Sequence, residues 1–185
     1  MPKKILNLQD KIFNVAWNLF SKNGYENVDM KAIASGCDIA VGTLYNYYGN
    51  KKDLFLKVLE ASWTSTFKRI EEINYKDKSQ DEINHEIVKI LYYDIKERRG
   101  LSKYLLDNSS ISEDENNMFK EKIPDKLFLI IKDKGGYSDT NEFNFKSKKL
   151  THIILCNIVL LAELYPGDDE ANILFLNRII EGNIV

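Results

Sequence analysis

Residues 40–55, AVGTLYNYYGNKKDLF, bring together three tyrosines, two glycines and two adjacent lysines in a chain whose net charge is -2. Those residue types suit a polyanion better than a reacting substrate. Hydroxyls and ammonium groups bond phosphate oxygens, bare backbone at a glycine permits close approach, and the free amides at a helix start favour an anion. At helical spacing Leu44 points back towards Ile33, Ala34 and Ile39. Gly42, Thr43 and Asn46 then lie on the opposite side, with Val41 and Tyr45 on its flank. Thr43 and Tyr47, four apart, present hydroxyls on one side, and Lys51 stands at the start of the following helix. Tyr48, just past the helix, is expected to pack against the first and fourth helices instead. Catalytic chemistry has no comparable concentration of residues. His85 and His152 lack a Cys, His or acidic partner at metal-ligand spacing, and the chain holds no GxSxG, P-loop or GxGxxG. It is expected not to be an enzyme and to use neither cofactor nor metal.

Helices must position that stretch. Ile12, Phe13, Ala16, Leu19 and Phe20 form one apolar stripe of a first helix over 7–23, which Gly24 stops. Asp29 N-caps a second helix through Ser35. After the turn GCD a third helix runs from about Ala40 to Tyr47, and Asn50 with Asp53 forms a box-like cap on the fourth. Three short helices with a tight turn between the second and third make a helix-turn-helix layout. Further helices are expected at 50–74, 80–98, 100–107, 113–134, 144–165 and 168–182, and no segment alternates long enough to be a strand. The fold class is all-α: a helix-turn-helix DNA-binding domain over 1–57 and a helical domain over 58–185.

Composition agrees with this layout. With 185 residues, 44% hydrophobic and only 9 glycines and 3 prolines, the chain can bury roughly 70% of its unfolded surface. Residues 1–57 carry eight lysines against five acids, a net of +3, which leaves -5 for the remainder. The start, MPKKILNLQDKIF, lacks the apolar run of a signal peptide, and the most apolar stretch, 153–162, is shorter than the ~18 residues of a membrane span. A cytoplasmic protein with no membrane partner is expected. Cys37 and Cys156 are too isolated to suggest a structural disulfide.

The helix at 144–165 is apolar nearly all round, which requires cover on two sides, and the last helix shares the excess. A symmetric homodimer in which both meet their copies supplies that cover, with Ile153, Asn157, Leu160, Leu161, Leu164, Ile173, Leu176 and Ile180 at the interface. Trp63, Phe67, Tyr92, Tyr93, Tyr104, Phe119 and Phe128 can line a pocket for a hydrophobic or aromatic small effector, or form only the core.

From about Leu8 to Phe55 the chain resembles the DNA-binding domain of the TetR family of bacterial transcriptional regulators. The likeness rests on Ile12, Ala16, Leu19, Phe20, Gly24, Tyr25, Ile33, Ala34, Gly42, Thr43, Leu44, Tyr45, Tyr47, Tyr48, Lys51, Asp53 and Leu54. It implies that Val41, Gly42 and Tyr45 approach bases, that Thr43, Tyr47 and Lys51 hold phosphates with help from Lys31, and that the protein is a homodimer whose C-terminal domain, residues 58–185, is a helical effector-binding and dimerisation domain controlled by a small effector. Family members are mostly repressors. The chain departs from the family with Asp38 where glycine is usual, with Ala40 and Asp29 where Ser or Thr is usual, and with no arginine near Gln9, leaving Lys11 or Lys3 and Lys4 as substitutes. The third helix also has no arginine, the commonest reader of guanine, while Asn46 suits adenine and Val41 and Thr43 suit thymine methyls. A palindromic, A·T-rich double-stranded operator follows. The rival readings are a helical interaction protein, and a DNA-binding regulator controlled by a protein partner.

Overall fold

The computed structural model describes residues 8–98, 121–135 and 141–181. Its elements are all helices: α1 Leu8–Asn23, α2 Met30–Gly36, α3 Val41–Tyr47, α4 Lys51–Glu71, α5 Gln80–Glu97, α6 Ile123–Gly135, α7 Asn141–Leu164 and α8 Asp169–Glu181. The expected helix at 100–107 and the first part of that at 113–134 lie outside the described residues. The fourth helix ends at Glu71 rather than at residue 74, and the Ile70 carbonyl in its last turn accepts from the Ile73 amide at 3.2 Å and from the Tyr75 hydroxyl at 2.9 Å. Two compact units result, Met1–Ser62 with Arg98–Tyr104, and Trp63–Glu97 with Leu105–Val185. The division falls inside α4.

In the first unit the stripe of α1 buries Ile12, Ala16 and Phe20, and α4 adds Leu54, Phe55, Val58 and Leu59. The Phe55 ring meets Phe20 edge-on at 5.2 Å and Tyr25 at 4.8 Å, geometries that the ring quadrupoles favour. Gly24, at φ 77°, closes α1 with its amide donating to the Phe20 carbonyl at 2.9 Å. The Asp29 carboxylate accepts from the Ala32 amide at 2.7 Å as the N-cap of α2. Asn50 and Asp53 cap α4 reciprocally: the Asp53 amide donates to Asn50 Oδ1, and Asn50 Nδ2 donates to the Asp53 carboxylate, both at 2.9 Å.

In the second unit α5, α7 and α8 pack on one another and α6 packs on α7. The helix that sequence makes apolar all round resolves into two stripes. Thr151, Ile154, Ile158 and Ala162 are buried, whereas Ile153, Leu160 and Leu164 are 49%, 47% and 59% exposed on another side. On α8 the expectation needs correction. Ile173 and Leu176, taken as interface residues, are fully buried within the chain, while Leu174 and Phe175 are exposed. Both sides of that helix are apolar, so periodicity does not tell the inner from the outer. A polar clasp fixes the start of α8 on α5. The Tyr92 hydroxyl donates to Asp169 at 3.0 Å and accepts from Asn172 at 2.9 Å, and Lys96 donates to both Asp169 oxygens at 2.6 and 2.7 Å. The Lys96 hydrogen bonds hold the Asp169 carboxyl below its usual range.

The contact between α1 and α2 is close enough to need a glycine. A Cβ at Gly36 would lie 2.7 Å from Val15 Cγ1, and the β-branched valine is stiff at χ1 and cannot swing aside. Replacing glycine in a helix gains up to about 1 kcal/mol, but overpacking costs about 1–3 kcal/mol, so the clash wins. Gly36→Ala is expected to lower stability by about 1 kcal/mol net. Adding Val15→Ala should recover part of that loss in denaturant unfolding; simply additive losses would show that the clash is not the cause.

Candidate nucleic-acid interface

Seven residues make too short a helix to stand alone, so α3 owes its place to what it buries. Leu44 is fully buried and α3 packs on α2. Ala40 precedes it in an extended conformation with no side-chain cap. Tyr48, at 5% exposure, closes the helix, with its amide donating to the Leu44 carbonyl at 3.1 Å. Burial pushes the Tyr48 phenol up, against a hydrogen bond from Gln9 of α1 that lowers it, and Lys57 of α4 lies 5.4 Å from the ring centre. Tyr48 thus packs between α1 and α4, as its position after the helix suggests.

Four of the remaining residues of α3 are exposed and two are half-buried. Tyr45 and Tyr47 are 48% and 45% exposed. Gly42 and Asn46 are exposed, and Val41 and Thr43 are half-buried. Lys31 of α2 is exposed as well. Gly42 has open surroundings among the described residues: a Cβ there would meet no atom within 4 Å. The bare backbone at the second position of α3 is therefore open to close approach from outside.

Two lysines of this surface have partners that sequence reasoning did not supply. Lys51 donates to the Tyr25 carbonyl at 2.9 Å, and its ammonium sits 4.1 Å from the centre of the Tyr25 ring. An ammonium has three N–H donors, so this arrangement orients Lys51 at the head of α4 without using all of them. Lys11 of α1 pairs with Asp38 at 2.8 Å. Asp38, in the turn between α2 and α3, has φ 57°, a left-handed conformation that aspartate tolerates better than most residues. The Lys11 hydrogen bond holds the Asp38 carboxyl below its usual range. The partners lie 26 and 27 residues apart, too far for any local pattern to reveal, although the sequence singles out Tyr25, Lys11 and Asp38 individually.

Of the aromatic residues expected to line a pocket or the core of the second unit, Trp63, Phe67 and Tyr92 are buried and Tyr93 is 36% exposed. Trp63 and Phe67 are buried with their rings 5.8 Å apart, and Lys126 lies 4.7 Å from the Phe67 ring centre. Tyr92 is fully buried in the clasp, Tyr93 donates to Glu170 at 3.3 Å, and Phe128 is half-buried. Tyr104 and Phe119 lie outside the described residues. Among the described residues no group of three or more His, Cys, Asp or Glu is placed to hold a metal ion, and no helix is long and apolar enough to cross a membrane.

The division between folding and exposed tyrosines is measurable. Tyr48→Ala removes a buried ring and is expected to cost about 3–5 kcal/mol in denaturant unfolding. Tyr47→Phe, at an exposed hydroxyl, should stay within about 0.5 kcal/mol of the parent.

Comparison with known proteins matches this geometry to a family. Residues 12–58, which span α2, α3 and most of α1, match the family described as bacterial regulatory proteins, tetR family. The HTH-type transcriptional regulator YuxN of Bacillus subtilis is 28% identical over 176 residues, covering 91% of this chain and 60% of YuxN, so the chain spans less than two thirds of that relative. The HTH-type transcriptional repressor KstR of Rhodococcus jostii is 45% identical over 49 residues, 26% of this chain and 23% of KstR. Among solved structures, FadR from Bacillus subtilis in complex with stearoyl-CoA superposes with a TM-score of 0.73 at 16% identity, covering 96% of this chain and 100% of that one. The outward face of α3 on a buried Leu44 and the family match over the same residues place residues 12–58 in the tetR family of bacterial regulatory proteins.

Proposed function

We propose that the protein is a repressor that binds a palindromic, A·T-rich operator as a homodimer and leaves it when a small apolar effector binds. The observation that carries the DNA contact is Gly42, whose open surroundings let backbone approach base edges while Val41, Tyr45 and Asn46 flank it. Thr43 and Tyr47 contact phosphate, with Lys31 and the spare donors of Lys51 beside them. The absence of arginine from α3 favours adenine and thymine contacts over guanine. Residues 1–57 make up the reading head, and residues 58–185 carry effector binding and dimerisation.

Dimerisation has its support in the exposed stripe of α7, Ile153, Leu160 and Leu164, with Leu174 and Phe175 on α8. Large exposed apolar patches mark interfaces. For the effector, the apolar side chains of Trp63, Phe67 and Phe128 are the candidates, whereas the hydroxyls of Tyr92 and Tyr93 are engaged with α8. The same fold holds stearoyl-CoA in FadR, which supports an apolar ligand. The reading places the protein in the cytoplasm.

Selection from random duplexes is expected to return A·T-rich inverted repeats, with log affinity falling against log salt by about 0.9 per phosphate contact. Tyr47→Phe should weaken that binding. A flat salt response or G·C-rich half-sites would overturn the reading. In sedimentation the parent should be a dimer and Leu160→Glu a monomer with weakened operator binding; a Leu160→Glu dimer would place the interface elsewhere.

A further inference from the structure

The one acidic side chain in the turn that leads into α3 is out of keeping with a surface that meets phosphate. Asp38 stands two residues before the N-cap Ala40, at the end of α3 that enters the groove in a helix-turn-helix complex. Its φ of 57° is one that glycine adopts freely and aspartate only at a cost. Backbone conformation therefore does not call for aspartate there. What the residue adds is a carboxylate, 86% exposed, whose recorded side-chain partner is Lys11. Lys11 in turn is the cation of α1 nearest this end of the unit by that contact, and its side chain is only 37% exposed. The pair neutralises a lysine on the basic third of the chain and leaves a negative group beside the reading helix.

We propose, resting on the DNA-binding reading above, that Asp38 attenuates operator affinity by holding Lys11 as an internal counter-ion in competition with DNA phosphate. An exposed ion pair is weak in water, so Lys11 exchanges from the carboxylate to a phosphate when DNA arrives. The exchange loses one internal pair for each phosphate gained, and the abandoned carboxylate repels the backbone. Affinity is thereby held lower, and its salt dependence shallower, than the number of lysines alone would give.

The test uses the full chain and the duplex obtained by selection. Asp38→Asn keeps a residue that tolerates the left-handed turn while removing the charge; Asp38→Gly removes the backbone cost as well and serves should the first variant fold poorly. Either variant is expected to bind on the order of threefold to tenfold more tightly, with the log–log salt slope steeper by about 0.9. The gain should then be about 3.5-fold larger at 50 mM salt than at 200 mM. Lys11→Gln should weaken the Asp38→Asn protein more than it weakens the parent, and the double variant should return to the parent slope. An Asp38→Asn protein with unchanged or weaker binding, or with an unchanged slope, overturns the inference; weaker binding would mean that Asp38 orients Lys11 towards phosphate. Failure of the parent chain to show salt-dependent binding would overturn the DNA-binding reading, and this inference with it.

Discussion

A helix of seven residues has too few hydrogen bonds to offset the entropy of forming it. The position of α3 therefore depends on the burial of Leu44, with Tyr48 closing the end. Burying one leucine is worth about 1.5–3 kcal/mol, and the rest of α3 adds only the half-buried Val41 and Thr43, since Gly42, Tyr45, Asn46 and Tyr47 are exposed. The rest of the first unit serves that one contact. Gly36 lets α1 and α2 come close enough to form a floor, the Asp29 cap starts α2, and the Asn50–Asp53 box starts α4. Together they hold the short helix in a place where it could not hold itself.

The second unit meets a different constraint. Its helices carry more apolar surface than one chain covers, and α7 shows how that surplus is arranged, with Ile154 and Ile158 inside and Ile153 and Leu160 outside. Packing alone would let α8 slide along such a surface. The clasp of Tyr92, Lys96, Asp169 and Asn172 prevents it, since a shift of one residue along the helix, about 1.5 Å, breaks hydrogen bonds of 2.6 to 3.0 Å.

Local features were legible in the sequence. The stripe of α1, the Asp29 cap, the Asn50–Asp53 pair, the inward Leu44 and the buried Tyr48 each follow from spacing or from one residue's own chemistry. Contacts across long separations were not. Nothing near Lys51 announces that its ammonium rests on Tyr25, and the Lys11–Asp38 pair joins residues that are informative only together. Ile173 and Leu176 illustrate a second limit: where a helix is apolar on two sides, its pattern fixes two faces without saying which is inside.

Gly42 and its exposed neighbours have a consequence for how such a protein diversifies. Positions 42, 45, 46 and 47 contribute no buried side chain, so substitutions there leave the folding of the unit almost untouched. Variation at these sites is filtered by what the surface touches rather than by whether the chain survives. A lineage can drift through many surface chemistries at α3 while Leu44 and the floor beneath it stay fixed, and new specificities become reachable without an unfolded intermediate.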